Sequence, residues 1–148
     1  MILCRRFILV ILVLCSVAML SAPHHVRAEG FKQVVTSVTT DDVNRAAMAI
    51  QFTRSIMQEK NCAGVLFFNV YGVNLVNAKI ASPTYDSGES IAAMLADFMK
   101  AGGQVFACPM CMKHVGKMTN ADLLQGVAAV KGAGVKAVSA SDTLVLSY

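Results

Sequence analysis

Cys108 and Cys111 are separated by Pro109 and Met110 and followed by Met112, Lys113 and His114. A thiolate is both a nucleophile and a soft metal ligand, and two thiols at this spacing can exchange with one bound sulfur. The spacing admits three readings: a redox dithiol, half of a metal site, or coincidence. The pair follows a short β-prone run, Gln104 to Ala107. That places it at the C-terminal end of a strand, the edge of an open parallel sheet where ligands bind. Lys113 or His114 would add positive charge beside a thiolate there.

The alternatives divide on what else the chain supplies. A structural zinc site needs four ligands, and beyond the dithiol only His114 is near, with Cys62 far off in sequence; no metal is assigned. Cys108, Met110, Cys111, Met112, His114 and Met118 do form a soft-ligand set of the kind that suits Cu(I), although methionines more often fill cores. Cys-Pro-x-Cys is similar to the glutaredoxin dithiol. A thioredoxin-like fold, however, carries its dithiol after the first strand and needs a later cis-proline, and no proline follows Pro109. Cys62 reads as a small helix-end residue. Thr39, Asn69 and Tyr71 fall at the same sheet edge as the dithiol and are candidates to line the site, while Thr39 is also explained by a helix cap. His114 is either an exposed helix residue or a group that polarises the thiols.

The elements that must position these residues alternate short apolar runs with helical patterns, the pattern of an α/β domain with a largely parallel sheet. The spacing predicts a strand over 32–38 and a helix from the Thr39-Thr40-Asp41-Asp42 cap to about Lys60. The apolar residues Val43, Ala46, Ala47, Ile50, Ile56 and Met57 share one face of that helix. Gly64 to Val70 reads as a central strand covered on both faces. Tyr71-Gly72 turns the chain, 73–80 reads as a short extended piece or loop, and 82–87 is irregular. A helix over 89–101 ends at Gly102-Gly103, and 104–107 is a strand. Helix and turn follow to about Val130, with Thr119 as a cap. Val135–Val138 and Thr143–Ser147 are the last strand candidates, with Ser141-Asp142 turning between them.

The first 28 residues read as something else. Arg5 and Arg6 precede an apolar run from Phe7 to Leu20, and a polar stretch ends in Val26-Arg27-Ala28. This is the order of a secretory signal, and the run is short for a membrane span of roughly 20 residues. Residues 1–28 are therefore expected to be a cleaved signal peptide and 29–148 the α/β domain, which places the protein in the periplasm or outside the cell. Arg5-Arg6 is weakly like a twin-arginine signal, but the run is too apolar. Cys15 is weakly like a lipoprotein cysteine, but Leu14 is too bulky before it.

Of 13 basic side chains three leave with this segment, so 10 face 9 acidic ones and the domain is near neutral. That excludes an electrostatic case for nucleic-acid binding, and no second long apolar run remains to hold the domain in a membrane. Cys62, Cys108 and Cys111 stay, an odd number, so at least one thiol lacks an intrachain partner.

Several segments together carry a resemblance: the Thr/Asp helix start after the first strand, Val65 to Val73 (VLFFNVYGV), Gly102 to Cys111 (GGQVFACPMC) and Asp122 to Val127 (DLLQGV). In this order the chain resembles the DsrE/DsrF-like family over nearly all of the domain. The resemblance implies a three-layer α/β/α domain with a five-stranded, mainly parallel sheet, assembled as a trimer or hexamer. It also implies sulfur relay, in which a cysteine at the place of Cys108 accepts sulfur as a persulfide from a donor and passes it to an acceptor protein. Cys111 would then resolve the persulfide. No cofactor is implied. The relay members of the family work without an export signal, and a Cys-Pro-Met-Cys dithiol is not their general pattern.

Overall fold

A computed structural model describes residues 30–148; the signal segment expected at 1–28 lies outside them. The order is β1 (Gln33–Val38), α1 (Val43–Lys60), β2 (Ala63–Phe68), a 3-10 helix (Val70–Val76), α2 (Ile91–Lys100), β3 (Gln104–Ala107), a short helical turn (Pro109–Gly116), α3 (Ala133–Val138) and β4 (Thr143–Ser147). The strands form one parallel sheet in the order β3-β2-β1-β4.

Period-two alternation decides which face each strand residue joins. Val34, Val38, Leu66, Phe68, Val105 and Ala107 point into the main core, where α1 and α2 cover the sheet. Val35, Val65 and Phe106 point to the other side, where Ala137 of α3 meets them. Asp42 caps α1 by accepting the Arg45 N–H at 2.9 Å. Ser90 caps α2 by accepting the Ala93 N–H, and Gly102, at φ 92°, ends that helix. Inside the core the buried Thr36 and Thr53 hydroxyls bond to one another at 2.6 Å, so neither polar group is left unpaired.

Three expectations need correction. The sheet has four strands, not five, because Val135–Val138 is helical. Gly132 at φ 82° turns the chain into α3, and Gly134 and Ala137, three residues apart, lie on the sheet, a helical rather than a strand period. Beyond β3 only Ala128 makes a parallel bridge, to Phe106, with Gly126 at φ 87° turning the chain just before it. Second, the segment 73–80, expected as a short extended piece or loop, begins inside a 3-10 helix over Val70–Val76 that buries Val73, Leu75 and Val76, and only its remainder is turn. Third, most of 117–130 is irregular, with Thr119 capping a single 3-10 turn, Asn120–Asp122.

Candidate functional site

The dithiol sits where β3 gives way to helix. Cys108 extends the ladder by one residue, its N–H donating to the Phe68 carbonyl at 2.9 Å, and its own carbonyl accepts the Met112 N–H at 2.9 Å. Pro109 takes the first helical position, where its missing N–H costs nothing. The α-helical turn Pro109–Cys111 then widens into a π-type turn over Met112–Gly116, a geometry that recurs at functional sites. Lys117, at φ 49°, closes it, and the Met118 N–H returns to the Met112 carbonyl at 3.0 Å. Both Met112 and Met118 are buried in the main core, while Met110 is exposed. The methionines are thus divided between packing and solvent, and do not gather as a soft-ligand set. Among the described residues no three His, Cys, Asp or Glu side chains cluster as a metal site would need.

Cys62, Cys108 and Cys111 are all free thiols. Cys111 is half-buried, with the Cys108 thiol and the backbone N–H of Val70 as its polar neighbours. Burial pushes its thiol pKa up; the Val70 N–H opposes that shift and the Cys108 contact adds to it. Cys111 therefore stays protonated at neutral pH.

Val70 presents that N–H because of how β2 ends. The Asn69 N–H bonds to the Val38 carbonyl at 3.0 Å and the Tyr71 N–H to the Thr39 carbonyl at 3.1 Å, both toward β1. The intervening N–H, that of Val70, serves the β3 side, and Val70 adopts φ 50°. A β-branched residue in this region is an outlier that costs about 1–3 kcal/mol. Two residues on, Gly72 packs on the Val38 carbonyl, which a Cβ would strike.

The other expected site residues lie at this edge with different occupations. Thr39 donates its hydroxyl to the Tyr148 carbonyl at 2.7 Å and so ties β1 to the end of β4. Asn69 donates its side-chain amide to the Ser37 hydroxyl at 2.8 Å. Tyr71 is exposed. None of the three lines the groove onto which Cys108 opens.

That groove, about 730 Å³, runs between the site turn and α3. Cys108, Met110, Lys113 and His114 form one wall, Val130, Lys131 and Val135 the other, and Phe67 lies between them. His114 and Cys108 are brought to one cavity; Cys111 is behind it. Sequence reasoning did not find Val70, whose type gives no sign of a left-handed conformation. Nor does it reveal the wall from Val130 to Val135, because the short apolar run 135–138 reads as a strand and is helical.

The model of the DsrE/DsrF-like family matches residues 33–145. The chain belongs to the DsrE/DsrF-like family. Among solved structures, the crystal structure of the ychN protein from E. coli superposes with a TM-score of 0.59 at 20% identity, over 80% of this chain and 99% of that one. At that identity the likeness is one of fold. No curated protein matches the sequence. Within the described residues of this DsrE/DsrF-like chain, no helix is long and apolar enough to cross a membrane.

Proposed function

We propose that this chain is an exported DsrE/DsrF-like sulfur carrier in which Cys108 takes up sulfane sulfur and Cys111 resolves it. One observation carries the reading: Cys108 opens on a groove, while Cys111, its neighbour, packs against the main core beside the Val70 N–H, where burial favours the thiol form. The two cysteines therefore have different access and different roles. The Cys108 thiolate attacks the outer sulfur of a donor persulfide, the donor's S–S bond breaks, the donor leaves as its thiolate, and Cys108 becomes a persulfide. An acceptor thiolate then removes the outer sulfur and regenerates the Cys108 thiolate. In the absence of an acceptor, Cys111 gives up its proton and attacks the inner sulfur; a Cys108–Cys111 disulfide forms and hydrosulfide leaves.

Residues 1–28 are proposed to direct export, after which residues 29–148 act in the periplasm or outside the cell. Assembly as a trimer or hexamer fits the exposed Val138 on α3 and the exposed Val145 on β4, which the small helix leaves uncovered. Sedimentation of the mature protein tests it: a monomer at micromolar concentration overturns the assembly.

The decisive test is intact mass after incubation with a persulfide donor. A gain of about 32 Da on Cys108, longer-lived in Cys111→Ser, is the expected result. A loss of about 2 Da with no adduct at any time assigns the pair to disulfide chemistry alone and overturns the carrier role.

A further inference from the structure

The lining of the Cys108 groove carries charge of one sign. Lys113 stands on the wall of the site turn and Lys131 on the opposite wall, with the His114 imidazole beside Lys113, and no Asp or Glu lines the groove. The ion pairs of the described residues lie elsewhere: Lys32 with Asp142, Lys79 with Asp122 and Lys100 with Asp97. Lys113 and Lys131 thus keep their charge for whatever enters. Between them the surface is apolar, formed by Phe67, Met110, Val130 and Val135. A cavity of about 730 Å³ falls in the size range of sites that enclose an organic molecule, far larger than a bare hydrosulfide or thiosulfate ion requires.

From this we infer that the donor to Cys108 is an anionic organic persulfide of low molecular mass, R–S–S⁻, whose R group carries carboxylates and is of about the size of a short peptide. The inference rests on the carrier role proposed above and adds the donor's chemical class. The two lysines on opposite walls hold the carboxylates, and the apolar strip takes the carbon chain. The outer sulfur then meets Cys108. Its thiolate bonds to that sulfur, the S–S bond of the donor breaks, and R–S⁻ leaves as the free thiolate. One negative charge remains on the Cys108 persulfide, so charge and sulfur both balance. The cationic walls also offset the like-charge repulsion between an anionic donor and the thiolate, which would otherwise slow the encounter.

The experiment follows the rate of the mass gain on Cys108 in the purified full-length mature protein, with two persulfides of similar reactivity. Glutathione persulfide is the probe whose R group is anionic and thioglycerol persulfide the one whose R group is uncharged, each at low and at high salt. Expected is faster transfer from the glutathione probe, slowed by salt, and slowed in the double variant K113Q/K131Q by about tenfold or more beyond any slowing of transfer from the other probe. Both lysines are exposed, so their replacement leaves the fold intact, which the urea midpoint of the double variant checks directly. Equal rates from the two probes, or equal slowing of both in the double variant, overturn the inference and leave the carrier role standing. No adduct from either probe overturns the carrier role itself.

Discussion

The backbone N–H of Val70 neighbours the Cys111 thiol across the gap between the ends of β2 and β3, and Val70 holds φ at 50° there. The valine side chain is 43% exposed, so its burial gains little against the cost of that conformation. Strain kept where a backbone donor meets a thiol is the pattern of a site in which geometry is held for chemistry rather than for stability.

Val70→Gly keeps the N–H and removes the steric cost. Expected is an unchanged or slightly higher denaturation midpoint, by up to about 1 kcal/mol, with Cys111 titrating as before. Val70→Pro removes the N–H and forces φ to the opposite sign. There the Cys111 pKa should move further up, read as a shift of its alkylation profile to higher pH by peptide mass analysis. An unchanged profile in the proline variant would show that the N–H is not the partner.

The Cys111 pKa is raised above its ordinary value of about 9, mainly by burial. A group with a raised folded-state pKa contributes stability that is fully present below its unfolded pKa and is lost as pH rises through the folded one. Urea midpoints under reducing conditions should therefore fall above about pH 9 in the wild type. They should fall less steeply in Cys111→Ala. Parallel curves for the two proteins would mean that the thiol is not buried as described.

Asp122 shows the opposite sign. The Lys79 ammonium, then the Thr119 N–H at 2.7 Å and the Thr119 hydroxyl at 3.0 Å, hold its pKa down at about 2. A depressed carboxylate contributes stability present above its unfolded pKa of 3.8 and lost as pH falls toward 2. The Asp122 carboxylate closes the 3-10 turn back onto its Thr119 cap, and its own carbonyl accepts the Ala78 N–H at 2.7 Å, so it joins two loops. Asp122→Asn should lower the midpoint at pH 6 and flatten the loss between about pH 4 and 2. A variant with the wild-type acid limb would locate the acid sensitivity in another carboxylate.

The sequence made the strands and the long helices legible because each has a strong local signal. Val34 to Val38 and Val65 to Phe68 are unbroken β-prone runs, Asp42 is a cap before a helical period, and Gly102 is a stop. The Cys108–Cys111 pair was legible for the same reason, through cysteine spacing after a short strand. Val135 to Val138 failed because a short apolar run does not distinguish a strand from a helix. What decides it is tertiary: Gly134 and Ala137 fit against Phe67, Val35 and Val65 only at a helical spacing. The different surroundings of Cys108 and Cys111 were illegible too, since they depend on the groove beside α3, which only Cys108 lines, and on an unusual conformation at Val70.

Gly134 is where the fold and the groove meet. A Cβ there would strike the ring of Phe67, so α3 lies directly on the residue between the two groove walls. Gly134→Ala must lift α3 or turn the ring, at a cost of about 1–3 kcal/mol. Val130, Lys131 and Val135 would move with the helix and the groove would widen. A bulky maleimide should then reach Cys108 faster in the variant than in the wild type, while iodoacetamide, small enough to enter already, gains little. Equal acceleration of both reagents would point instead to general loosening of the site turn, and the Cys111 alkylation rate, screened by the other side of the sheet edge, distinguishes the two: it should not change if only the groove opens.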